Sequence, residues 1–127
     1  MQAINYSKAD MDEWEKDFEW LRVRTELKNQ LGMEKLPDLN VILILIGIQE
    51  LGYRPEKMEK ETKQDLMHVA VCSLLAPLGY YEDEGRDEDG WPHFRKVKRV
   101  NVSGEDAQEK LLIEAIIAYF KQQEFIQ

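Results

Sequence analysis

The fold depends on residues 39–51, which read LNVILILIGIQEL. Nearly every position is apolar, so the spacing of apolar residues does not distinguish a buried helix from a buried strand over residues 41–48. The flanks favour a helix, because Pro37 suits a first helical position that needs no N–H and Gly52 is a frequent helix stop. We therefore predict a central helix over residues 38–51, with the strand as the alternative. In the helix, Gly47 would let a neighbouring helix approach closely.

Three further helices are predicted from apolar spacing before and after this segment. Residues 60–77 and 104–123 both repeat apolar pairs at i, i+1, i+4 and i+5, which indicates amphipathic helices with one buried face. Residues 8–31 are predicted as the first helix, which ends before Gly32. Its core face is predicted to begin with Met11, Trp14, Phe18 and Leu21 and to be widened by Trp20, Val23, Leu27 and Leu31.

Residues 80–100 change in character and predict a β-hairpin, with strands over residues 80–84 and 91–100. Six acids precede the second strand, namely Glu82, Asp83, Glu84, Asp87, Glu88 and Asp89. Four cations follow with no acid between them, namely Arg95, Lys96, Lys98 and Arg99. Opposed acidic and basic strands attract across the ladder, and Pro92 must then lie at an edge or at a strand start.

These segments predict a single, mainly α domain over residues 1–127. The expected architecture is four-helix bundle-like, with one β-hairpin inserted between helices three and four. The sequence leaves open whether the hairpin packs on the helices or projects from them. Apolar residues make up 43% of the chain and charged residues 33%, as in packed domains, and the single cysteine excludes a scaffold held by internal disulfides.

The charge and the apolar runs exclude several function classes. A net charge of −8 repels phosphate backbones, so we expect no nucleic-acid binding. Residues 94–99 mix aromatic and basic side chains as single-strand binders do, but the adjacent acids cancel most of that potential. No apolar stretch of a secretory signal is present near the N-terminus, and the longest apolar run falls well short of the ~20 residues that cross a bilayer. We expect a cytoplasmic protein without a membrane segment.

Four aromatic residues at the base of the hairpin form the candidate interaction surface, namely Tyr80, Tyr81, Trp91 and Phe94. They either cover one end of the helical core or contact a protein partner or a second copy of the chain, since Tyr and Trp anchor interfaces. No phosphate-binding glycine-rich loop, HExxH or GxSxG motif occurs. We therefore expect a protein-interaction or self-associating module with no cofactor and no catalytic residues.

A metal-binding protein or metal-dependent enzyme is the alternative. Asp65 and His68 lie at i and i+3 on one helix, as in carboxylate-bridged di-iron bundles, but the second histidine that such sites need is missing. Glu50 and Glu114 are the candidates for further oxygen ligands. A separate surface site would use Asp87, Asp89 and His93. The acidic loop around these residues does not match the ligand spacing of an EF-hand.

Cys72 follows His68 by four residues, so a thiolate–imidazolium pair is conceivable on the third helix. Catalytic cysteines occupy electropositive, partly open sites, whereas Cys72 lies among apolar residues in the middle of a helix. Burial there favours the neutral thiol, and we interpret Cys72 as a core residue.

Three stretches resemble a family of small uncharacterised bacterial proteins, namely residues 36–52, 63–68 and 79–93. The resemblance covers most of the chain after Leu36. It implies a bacterial cytoplasmic protein and supplies no activity, cofactor or catalytic residue.

Overall fold

The computed structural model describes residues 8–125, with side chains described from Glu13 onward. It contains four helices, α1 (Lys8–Leu31), α2 (Leu39–Leu51), α3 (Lys60–Leu75) and α4 (Glu105–Gln122). An antiparallel hairpin of two strands, β1 (Tyr81–Arg86) and β2 (Pro92–Lys96), lies between α3 and α4. The mainly α class and the place of the hairpin in the chain are thus confirmed.

Helix α2 resolves the ambiguity of the apolar run in favour of a helix, and the alternative of a strand over residues 41–48 is wrong. Asp38 is the N-cap, and its side chain accepts a hydrogen bond of 2.9 Å from the backbone N–H of Val41. Gly52 ends the helix in the left-handed conformation, with φ of 95°, which glycine adopts without strain. Pro37 precedes the cap and does not occupy the first helical position, because the Asp38 side chain takes over the capping.

Helix α3 ends two residues earlier than predicted. Its α-helical part stops at Leu75, and residues Ala76–Leu78 continue as one turn of 3₁₀ helix before Gly79. Pro77 explains the change, because its ring is incompatible with the preceding α-helical turn and it has no N–H to donate. The chain then turns directly into β1.

Helices α2 and α3 meet at Gly47, which is buried. A Cβ added to Gly47 would lie 2.2 Å from the carbonyl oxygen of Leu66 and 2.9 Å from its Cβ. The backbones of the two helices therefore touch at this point, and only glycine permits the contact. The expected close approach of a neighbouring helix at Gly47 is confirmed.

All four helices contribute to one apolar core. Its buried members are Val23 and Leu27 of α1, Ile42, Leu43 and Ile46 of α2, Ala70 and Leu74 of α3, and Ile116, Ile117 and Phe120 of α4. The described side chains include no buried polar or charged residue. The core is therefore held mainly by burial of apolar surface, and the bundle-like arrangement of its helices stays a prediction.

The predicted core face of α1 is wrong in its first half. Trp14 is 71% exposed, Phe18 52% and Leu21 48%, and Leu31 is exposed as well. A helix turns once in 3.6 residues, so the buried Val23 and Leu27 lie almost opposite Trp14, Phe18 and Leu21. The sequence carries apolar residues on two sides of α1, and only one side can face the core. Met11 lies outside the residues whose side chains are described.

Two exposed ion pairs lie on the side of α1 that faces α4. Lys110 of α4 binds Glu13 at 2.9 Å, and Lys16 binds Glu114 of α4. Farther along, Arg24 donates to the carbonyl oxygen of Pro37 at 2.8 Å and so joins α1 to the start of α2. Trp14, Phe18 and Leu21 remain on the outside, and we call these three residues the outer stripe.

Within residues 8–125, none of the helices combines the length and the apolar character that crossing a bilayer requires.

The contact at Gly47 predicts a large loss of stability for Gly47→Ala. The added methyl group meets backbone atoms of Leu66, which cannot rotate away as a side chain would. We expect the free energy of unfolding to fall by about 3 kcal/mol, at the upper end of the usual cost of overpacking. Chemical denaturation measures the change. Gln49→Ala, at an exposed position of the same helix, is the control, and equal stability of the two variants would contradict the contact.

Candidate functional site

Arg86 fixes the hairpin to the C-terminus of α2. Its guanidinium donates to the carbonyl oxygens of Glu50 (2.6 Å), Leu51 (3.1 Å) and Gly90 (2.7 Å). The last carbonyls of a helix have no partner within the helix and carry its partial negative charge, so a cation is favoured there. The hydroxyl of Tyr53 adds a hydrogen bond of 3.0 Å to the carbonyl oxygen of Asp89. The hairpin therefore packs on the helices, a point that the sequence left open.

Sequence reasoning missed Arg86. Arg86 is the single cation among the six acids of residues 82–89, between Gly85 and Gly90, and this isolation was the signal. A single arginine in an acidic loop has several carboxylates near it in sequence, yet the structure directs it to backbone carbonyls of α2. Nothing in the local sequence indicates that Arg86 donates to the carbonyl oxygen of Leu51, which is 35 residues away.

The two strands pair with less charge complementarity than predicted. Glu82 is opposite Arg95 and forms an ion pair with it, whereas Tyr81 is opposite Lys96 and Asp83 opposite Phe94. The ladder is irregular between Asp83 and Arg86, where Gly85 has a φ of 96°. Strand β2 ends at Lys96, so the predicted strand over residues 91–100 is too long, and Pro92 is its first residue as expected.

The four aromatic residues predicted as an interaction surface are all half-buried, namely Tyr80, Tyr81, Trp91 and Phe94. The ring of Tyr80 has the ammonium of Lys98 4.7 Å from its centre, a cation–π contact. Burial, and secondarily the neighbouring Cys72, raise the pKa of Tyr81, so its phenol stays protonated. The strands contact α3, which fits the covering of one end of the core. Use of these residues to bind a partner stays a prediction.

Of the three predicted metal ligands in the hairpin, the side chains of Asp87 and His93 are in direct contact. Nε2 of His93 lies 2.9 Å from one carboxylate oxygen of Asp87. The other oxygen accepts from the backbone N–H groups of Asp89 (2.9 Å) and Trp91 (3.0 Å). The bond to His93, followed by that to Trp91, lowers the pKa of Asp87. The Asp87 carboxylate thus organises the turn between the strands, and Asp89 joins it through its backbone.

The second set of predicted metal ligands is spread over separate contacts. Glu50 accepts a hydrogen bond of 3.2 Å from the hydroxyl of Tyr119, and Glu114 pairs with Lys16. Asp65 and His68 are exposed on α3. In the part of the chain from residue 13 to residue 125, no three His, Cys, Asp or Glu side chains lie together in a way that could hold a metal ion.

Cys72 is fully buried, and its Sγ lies 3.6 Å from Nε2 of His68. Burial raises the pKa of the thiol to about 11, so the neutral form prevails at physiological pH. The structure therefore agrees with the interpretation of Cys72 as a core residue.

The outer stripe is the exposed apolar surface that sequence reasoning assigned to the core. The rings of Trp14 and Phe18 are stacked, with centroids 6.1 Å apart and planes 10° from parallel. Stacking orders both rings before any partner arrives, which lowers the entropy cost of binding. The apolar spacing along α1 was visible in the sequence, but its exposure was not.

Comparisons with protein-family models, with curated proteins and with solved structures found no match to this chain. The resemblance to small bacterial proteins therefore stays a prediction, and the function is argued from the geometry alone.

The contacts of Arg86 predict that Arg86→Gln detaches the hairpin from α2. Three carbonyl oxygens lose a charged donor, and for a partly exposed group we expect a loss of about 1–2 kcal/mol in the free energy of unfolding. Hydrogen exchange should accelerate at the hairpin amides more than in the core helices. Arg54→Gln removes an exposed arginine near the same helix end and is the control. Unchanged exchange in the hairpin would show that Arg86 does not anchor it.

The raised pKa of Cys72 predicts slow alkylation of the native protein. At pH 8, a thiol with a pKa of about 11 has about a hundredfold less thiolate than one at the ordinary 9.0. Burial slows the reaction further. We expect iodoacetamide to modify Cys72 only after unfolding, as followed by mass spectrometry. The control is Gln64→Cys in a Cys72→Ala background, an exposed position on the same helix, and equal rates for the two proteins would contradict the buried thiol.

Proposed function

We propose that the protein is a non-catalytic interaction module that associates with a second copy of itself through the outer stripe of α1. The observation that carries the proposal is the exposure of Trp14, at 71%, on a helix face shared with Phe18 and Leu21. A contiguous exposed apolar patch with aromatic members is typical of protein interfaces, where Trp is the most enriched anchor residue. The four-helix bundle-like arrangement is part of the proposal and is supported by the core that all four helices share.

The charge along α1 favours a second copy as the partner. Within residues 13–19, four acids accompany one lysine, and within residues 22–28, three cations accompany one acid. Counted over all sides of α1, the first half is therefore negative and the second half positive, although Glu13 and Lys16 are paired with α4. Two copies that lie antiparallel place each negative half against a positive half, whereas a parallel pair would oppose like charges.

The spacing of individual charges supports the same arrangement. Glu15 and Arg22 are seven residues apart, so they lie two turns apart on one side of the stripe. Asp17 and Arg24 have the same spacing on the other side. A twofold axis that passes between Phe18 and Leu21 brings Glu15 of one copy close to Arg22 of the other, and likewise Asp17 to Arg24. Such a self-complementary surface is what a closed, twofold dimer requires.

Arg22 also makes a contact within its own helix, at 3.2 Å from a carboxylate oxygen of Glu19. This ion pair orders the guanidinium beside the stripe and does not exclude a second carboxylate, because arginine has five N–H donors. Each half-buried aromatic residue of the hairpin has a smaller exposed fraction than Trp14, which is why the proposal uses α1.

Self-association is tested by the molecular mass in solution. We expect sedimentation equilibrium to give twice the chain mass of 15.0 kDa for the native protein and the chain mass for Phe18→Asp, because a carboxylate in the middle of the stripe cannot be desolvated. Val97→Asp changes an apolar side chain of similar exposure (45%) away from the stripe and is the matched control. A native protein that stays monomeric at high micromolar concentration contradicts the proposal, as does a dimer that survives Phe18→Asp.

Charge reversal distinguishes the antiparallel pair from other pairings. Glu15→Arg should weaken the dimer, since it places two arginines together, and the double variant Glu15→Arg/Arg22→Glu should restore it in both copies at once. A parallel pair would show no such rescue, because Glu15 would then face its own counterpart. The dimer dissociation constants of the native protein, the two single variants and the double variant give the coupling free energy between the two substitutions.

A further inference from the structure

A cleft of about 590 Å³ opens on another part of the molecule, between α3, α4 and the linker that joins β2 to α4. We call it the linker groove. Its floor consists of Val71 and Leu75 of α3 and Leu111 and Leu112 of α4, and linker residues 99–103 form one wall. Small-molecule sites usually enclose about 300–1,000 Å³ and are lined mainly by apolar side chains. The linker groove is open to solvent, has a volume in this range and combines an apolar floor with polar walls.

Two cations, Lys96 and Arg99, also line the linker groove, and none of its lining residues is an acid. This is unusual in a chain with 25 Asp and Glu residues. Within residues 13–125, neither cation takes part in an ion pair, whereas the neighbouring Arg95 binds Glu82. Lys98 lies over the ring of Tyr80 instead. The groove therefore joins an apolar floor to two positive charges that form no direct ion pair within the described part of the chain.

We propose that the linker groove binds an amphipathic carboxylate, a fatty acid, with its alkyl chain on the apolar floor and its carboxylate on Arg99 and Lys96. Arginine matches a carboxylate with two parallel hydrogen bonds, and lysine adds a point charge. Burial of the chain supplies most of the affinity, and the two cations select the sign of the head group. This site is separate from the outer stripe and does not depend on self-association.

The size of the groove favours a small molecule over a protein segment. A stable protein–protein contact involves about 20–30 residues on each partner, whereas twelve residues line this cleft. An uncharged chain would leave both cations without a counter-charge, and a cationic amphiphile would be repelled by them. A carboxylate without a chain would leave the apolar floor open to water.

Calorimetric titration with decanoate, below the concentration at which it forms micelles, tests the proposal. Decanol, decyltrimethylammonium and acetate are titrated in parallel, because they lack the negative charge, reverse it, or lack the chain. We expect one decanoate per chain and weaker or no binding of the other three. Lys96→Gln/Arg99→Gln should weaken decanoate binding about tenfold or more, as expected when charge-assisted hydrogen bonds are lost. Lys57→Gln/Lys60→Gln makes the same change in net charge outside the groove and should bind as the native protein does.

A second variant separates loss of the site from loss of the fold. Val100→Trp places a large side chain in the linker wall, away from the helices, and should block decanoate while the helical circular dichroism stays unchanged. Absence of decanoate binding to the native protein overturns the proposal. Equal affinity for decanoate, decanol and decyltrimethylammonium also overturns it, since the cations would then have no role. Binding of an acidic amphipathic peptide in place of decanoate would assign the groove to a protein partner and reject the fatty acid.

Discussion

The contact between Gly47 and the backbone of Leu66 sets the geometry on which the other features depend. Because no side chain separates α2 from α3 at that point, the two helices approach as closely as backbones permit. Close approach leaves little freedom in their mutual position. The C-terminus of α2, which accepts the hydrogen bonds of Arg86, is therefore held at a defined place beside α3, and the hairpin that follows α3 is held with it.

The position of the hairpin in turn shapes the linker groove. Arg86 joins the hairpin to α2 at one end, and both strands also contact α3. The chain must then cross from the end of β2 at Lys96 to the start of α4 at Glu105, and this crossing forms a wall over the floor that α3 and α4 provide. A packing constraint at one glycine is thus connected, through a helix end and a hairpin, to a cleft formed by residues far from it in sequence.

The sequence predicted those elements whose signals are local. The capping residues around α2 and the repeated apolar pairs of α3 and α4 depend only on neighbours within a few positions, and their helices were predicted within about two residues. The buried side of α1 and the target of Arg86 depend on contacts between distant segments. Trp14 and Phe18 have the spacing of a core face, and only the structure shows that the side of α1 with Val23 and Leu27 faces inward. The predicted metal ligands also depend on contacts between distant segments. Glu50, for example, accepts a hydrogen bond from the hydroxyl of Tyr119 and does not lie with the other predicted ligands.

The net charge of −8 is a sum over two different local charge patterns, one on α1 and one at the linker groove. On α1 the acids lie mainly in the first half and the cations mainly in the second, so an antiparallel second copy would place opposite charges together, as the proposed self-complementary surface requires. At the linker groove none of the lining residues is an acid, and Lys96 and Arg99 form no ion pair within the described residues. The net charge therefore does not describe the electrostatics of either surface, because the local charge pattern of the stripe differs from that of the groove. The stripe is suited to a partner with the same charge pattern reversed in direction, and the groove to a ligand that carries a negative charge and an apolar body.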